Sequence, residues 1–179
     1  MEKAHRGKPR AERLLTRISL ARGVGWGLIG GLAGTMVMDL CLMGALSAVG
    51  LPALSCFSIV GDTVARLVSR GGLAMTGDIP TGAAAHYLIG PAAGAVYGAL
   101  VARVDAFRAG AWQRNLALGI LYIEILSQPL LATAPILLEM TASDTLQWYS
   151  GSFVMHMVLG ATLGAVVGNR LRPATGAEV

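Results

Sequence analysis

Two carboxylates and two imidazoles, Asp39, His86, Glu124 and His156, each lie in a stretch otherwise almost free of charge. An ionisable side chain at the centre of a membrane helix costs about 2.5–3.5 kcal/mol on insertion scales, so such groups face a bundle interior and pair. Together they could bind a divalent metal through imidazole nitrogen and carboxylate oxygen, with zinc, iron or manganese at bond lengths of about 2.0–2.2 Å. Gln128, four residues past Glu124 on the same helix face, would support such a site from behind. The same four groups could bind or pass protons or a small ion, since His titrates near neutrality and intramembrane acids serve in relays. They could also satisfy one another and do no more than hold helices in register. A haem clasped between His86 and His156 is a thinner alternative. Met36, Met38 and Met43 around Asp39, with Met155 and Met157 beside His156, would suit copper, but core filling explains them more cheaply.

No serine, cysteine or aromatic constellation announces a catalytic centre. Cys41 and Cys56 lack the spacing of a zinc site or a disulfide framework. Of 179 residues, 54% are apolar and only 13% charged, and mean hydropathy is +0.62. A soluble domain carries about a quarter of its residues as charges, so the composition is that of a membrane protein. The net charge of +4 is no sign of nucleic-acid binding, because the basic residues are bunched at span boundaries.

A bilayer core of about 30 Å needs about 20 apolar residues per helix. Four windows qualify: residues 23–50, 82–101, 116–138 and 151–168. The expected fold is an all-α, four-span bundle over residues 23–170, between a basic amphipathic segment at 1–22 and a tail at 171–179. The first segment lacks the cleavage pattern of a signal peptide. Leu14, Leu15 and Ile18 beside Arg13 and Arg17 describe a helix resting on the inner leaflet. Seven of the 14 basic residues precede span one, three (Arg103, Arg108, Arg114) separate spans two and three, and Arg170 and Arg172 follow span four. Short loops rich in Lys and Arg stay on the cytoplasmic side, so both termini are expected in the cytoplasm of a bacterial inner-membrane protein. Trp26, Trp112, Trp148 and Tyr149 fall where aromatic rings settle at headgroups. Between spans one and two, residues 54–68 place Phe57, Val60, Val64 and Leu67 on one stripe and Asp62 and Arg66 on the other, an interfacial helix.

The chain carries an internal echo. His86, Gly90, Gly94, Ala95, Val96 and Gly98 of span two repeat in register as His156, Gly160, Gly164, Ala165, Val166 and Gly168 of span four. Spans one and three echo more weakly, with Gly34 before Asp39 as Gly119 is before Glu124. Two tandem helix hairpins would then share an interface. Small residues four apart let membrane helices touch, so Gly90, Gly94 and Gly98, and Gly160, Gly164 and Gly168, read as packing ridges. A ridge left exposed would pair with a second copy. Pro91, Pro129 and Pro135 each strip an acceptor of its helical partner, freeing the carbonyls of Tyr87, Ile125 and Leu131.

The run Met38-Asp39-Leu40, then Gly50-Leu51-Pro52, His86-Tyr87, Gln128-Pro129 and finally His156, resembles an uncharacterised bacterial family of four-span membrane proteins with an M-D-L-W first helix. Cys41 stands where that family has tryptophan, and Gly61-Asp62-Thr63 where it has G-R-W. The resemblance implies a fold and a set of polar positions, and no reaction.

Overall fold

The computed structural model describes residues 18–107 and 111–171. Five α-helices run in order among them: α1 (Leu20–Ala48), α2 (Ser55–Arg70), α3 (Ile79–Arg103), α4 (Trp112–Leu138) and α5 (Ala142–Arg170). A short 3-10 turn, Asp105–Phe107, follows α3. All but α2 are long and apolar enough to cross a membrane. The chain is therefore an all-α, multi-pass integral membrane protein, as the hydropathy windows predict. The expected helix over residues 11–20 lies almost wholly outside the described residues, as does the tail beyond 171.

Three of the helices, α1, α3 and α5, start where the sequence supplies a side-chain cap. The Ser19 hydroxyl accepts the N–H of Arg22 at 3.2 Å, and Asp78 accepts that of Thr81 at 2.8 Å. Pro80 occupies the first turn of α3, where its missing N–H has no helical partner to lose. Thr141 caps α5 by accepting the N–H of Asp144. This cap starts α5 nine residues before the expected span, because the polar run 142–150 is helical too.

The four long helices form a ring in which α1 lies between α3 and α5, α4 packs on α5, and α3 barely meets α4. Two antiparallel hairpins, α1/α3 and α4/α5, thus join through α1 and α5. Backbone touches backbone along both hairpins. On α1 and α3, Gly23 sits against Gly98, Gly27 against Gly94 and Gly31 against Gly90. On α4 and α5, Gly119 meets Gly160 and Gly164, while Asn115 meets Gly164 and Gly168. Both glycine ridges are therefore buried inside their own hairpins and offer no outer face to a second copy. Between the hairpins, Gly30 and Gly34 of α1 receive Leu163 and Leu159 of α5.

The end at which α1 begins and α5 finishes is closed by Tyr97, Val101, Leu163, Val167 and Leu171. There the Arg22 guanidinium donates to the Arg170 carbonyl at 3.1 Å, and Arg170 stacks over Trp26 at 4.6 Å from the ring centre. The first and last spans thus begin and end on the same side of the bundle.

The loose α3/α4 seam is bridged in two places. Midway, Tyr122 of α4 donates its hydroxyl to the Ala93 carbonyl at 2.9 Å and packs against Tyr97. At the other end α2 lies against both α3 and α4. Its contact with α3 is again backbone to backbone, Phe57 on Gly82 and Gly61 on Asp78. Small residues set this face, so α2 buries Phe57, Gly61, Thr63 and Ala65 and turns Leu67 outward, unlike the stripe expected from its large apolar residues. Arg66 reaches α4 and donates to the Leu137 carbonyl at 2.9 Å instead of pairing with Asp62.

Candidate functional site: a buried Asp–His pair beneath α2

The α1/α3 contact is a ladder with four-residue rungs. Gly27, Gly31, Thr35 and Asp39 climb one helix while Gly94, Gly90 and His86 descend the other. Glycine permits the lower rungs to touch. Thr35 ends that run: its hydroxyl, which donates to the Gly31 carbonyl at 2.9 Å, fills the space beside Gly90. One turn further the helices have parted enough for two polar side chains. There His86 Nδ1 and Asp39 Oδ1 stand 3.1 Å apart, the one ion pair among the described residues.

Asp39 is only 3% exposed, and its second carboxylate oxygen, Oδ2, is buried with no hydrogen-bond partner. The His86 ring meets the edge of Phe57, with centroids 5.1 Å apart and planes at 73°. The first turn of α2, Ser55 to Phe57, therefore roofs the pair. Sequence reasoning placed α2 at the interface but gave it no part in the site; the signal was Gly82, four residues before His86, which admits Phe57 against the α3 backbone.

The other expected members make their hydrogen bonds with other partners. His156 Nδ1 donates to the Ser152 carbonyl at 2.8 Å, one turn back on its own helix. Glu124 Oε2 accepts from Gln128 Nε2 at 3.4 Å, and its Oε1 is buried without a partner. No three potential metal ligands gather among the described residues. Among the described residues, His86, His156, Asp39 and Glu124 thus do not gather as one set of metal ligands.

The internal echo explains why. Gly119 sits between Gly160 and Gly164 as Gly31 sits between Gly90 and Gly94. The register of the second hairpin therefore matches Gly119 with Gly31, three residues from the alignment that paired it with Gly34. Eight residues on, the counterpart of Asp39 is Ser127, which is buried and donates to the Glu124 carbonyl. One hairpin thus carries an acid opposite its histidine and the other a serine.

Prolines and aromatics add detail on α4. The Leu131 carbonyl, freed by Pro135, accepts the indole N–H of Trp148 at 3.0 Å. Trp148 is therefore an internal clamp as well as a boundary residue. Trp112 remains well exposed at the opposite end, as a headgroup anchor requires. Outside the spans, hydrogen bonding from Thr81, through its side chain first and its backbone N–H second, holds the Asp78 carboxyl below the usual carboxylate range.

Fold and site together define a class: a multi-pass helical membrane protein with one buried acid–imidazole pair set above a glycine-packed core. The chain matches no protein-family model, no curated protein and no solved structure.

Proposed function

We propose that the protein binds a proton or a small cation at the Asp39–His86 pair, reached from the α2 end of the bundle. The observation that carries this is the Asp39 carboxylate: buried, bonded to His86 through one oxygen and without a hydrogen bond at the other. With a neutral imidazole the pair bears one negative charge inside the bundle. Uncompensated charge in a low-dielectric interior is costly. A proton taken up by the pair, or a cation at Oδ2, cancels it. The glycine contacts and the apolar plug of Tyr97, Val101, Leu163 and Val167 fill the interior toward the termini, so passage through to that side requires helices to part.

Both termini are placed on the cytoplasmic side of a bacterial inner membrane, a reading supported by the Lys and Arg distribution. Membership of the four-span family it resembles belongs to the same reading, supported by Met38-Asp39-Leu40 and His86-Tyr87.

The test is a titration in nanodiscs, followed through the ring nitrogen resonances of His86. The expected result is a one-proton transition that Asp39→Asn abolishes or displaces. An identical titration in Asp39→Asn removes the carboxylate from the site and sinks the proposal.

A second reading, an accessory subunit whose polar groups only fix helix register, is favoured by His156, which is satisfied by its own helix. The two part on function: a register lock tolerates any substitution that preserves the fold, whereas a binding site does not tolerate Asp39→Asn.

A further inference from the structure

The outward face of α4 holds a second polar feature, independent of the Asp39–His86 pair. Glu124 lies about 18 Å along the helix from Trp112 and about 21 Å from Leu138, at the middle of the span. Gln128, which donates to it, is exposed on the outside of the bundle. An amide directed at acyl chains finds neither donor nor acceptor there.

The residues around it are not random. Leu121, Ile125, Gln128, Ala132 and Ile136 follow one another at steps of four and three or four residues, the spacing of a helix–helix seam. Leu121 is 56% exposed, Ile125 66% and Ile136 69%. Beside this stripe runs an apolar hollow of about 200 Å³, shared by Leu121 and Ile125 with Phe107, Leu118, Tyr122 and Leu126. A single amide in an apolar seam is a device for fixing partner and register.

We propose that this face of α4 is the interface with a second copy of the chain, the two related by a twofold axis along the membrane normal. The argument for a second copy is complementarity. A carboxamide carries both donor and acceptor, so Gln128 meets its own symmetry mate with one bond in each direction, which a twofold contact requires. Glu124, bonded to the same amide, fixes its orientation. The apolar hollow then receives side chains of the partner's seam. The buried glycine ridges are not part of this contact.

The experiment uses the full chain in liposomes, with subunit number read by single-molecule photobleaching across a dilution series. Dimers are expected at high protein-to-lipid ratio, with Gln128→Leu shifting the dissociation curve about 3- to 30-fold toward monomer and Gln128→Asn restoring part of the loss. In a Cys41→Ser, Cys56→Ser background, Ile125→Cys is expected to form an intermolecular disulfide. Leu88→Cys, on the exposed surface of α3, is expected not to. A protein monomeric at every dilution overturns the proposal, as do dimers that ignore Gln128→Leu or cross-link through position 88 in preference to 125.

Discussion

Trp148 donates its indole N–H to the carbonyl oxygen of Leu131, the acceptor that Pro135 has stripped of its helical partner four residues on. A kink-forming residue on one helix is thus answered by a donor on the next. The bond ties the start of α5 to the end of α4, where the loop between them is short.

Trp148→Phe should therefore cost about 1–2 kcal/mol, the usual cost of a buried acceptor left without its donor. In a Pro135→Ala background the backbone N–H of residue 135 can take the same carbonyl, and the cost of Trp148→Phe should fall. A double-mutant cycle on unfolding in bicelles measures the coupling. Equal costs in both backgrounds would show that the indole contributes through packing alone.

For the Asp39–His86 pair an asymmetry is expected. His86→Ala leaves a buried carboxylate with neither oxygen satisfied and should destabilise by about 3–5 kcal/mol. Asp39→Ala leaves only an imidazole that can be neutral, at about 1–3 kcal/mol. The double variant should be more stable than His86→Ala alone. Unfolding midpoints of the three proteins settle the order.

On the α1/α3 ladder, a methyl group at Gly94 runs into the backbone of Gly27 and Gly31, which no side-chain rotation relieves. Gly94→Ala should cost about 1–3 kcal/mol. Gly25→Ala, where a methyl group meets nothing within 4 Å, should be neutral or slightly stabilising. Thermal unfolding in detergent distinguishes them.

Asp78 gives a pH effect with a defined sign. Its carboxyl is held below its unfolded value by Thr81, so the cap's contribution is complete at pH above the unfolded value and is lost as pH falls through the lowered one. Hydrogen exchange of the first turn of α3, corrected for intrinsic rate, should accelerate below about pH 4, near the ordinary carboxylate range. Asp78→Asn keeps a capping oxygen and should flatten that dependence.

Span number and the existence of α2 were legible because they rest on hydropathy and periodicity, which a single sequence displays. The His86 and His156 ridges were legible as packing, since Gly90, Gly94 and Gly98 face no alternative use in an apolar helix. The partners of the histidines were not. Gly27, Gly30, Gly31 and Gly34 allow several registers of α1 on its neighbours, and a slip of three residues decides whether Asp39 or its counterpart meets an imidazole. The weak echo that set Gly119 against Gly34 is three residues from the packed register, in which Gly119 corresponds to Gly31. The direction in which Glu124 points around α4 was not readable, and it pairs with Gln128 one turn on.

The thin contact between α3 and α4 has a mechanical corollary. Two sides of the ring are fastened by small residues in backbone contact and a third by Leu159 and Leu163 seated on Gly34 and Gly30, so each separates only at the loss of many close contacts at once. The fourth is held by a tyrosine hydroxyl and by a short helix latched through one arginine. A widening of the ring would break the fewest close contacts along that side, where Tyr122 and Arg66 supply the bridging hydrogen bonds.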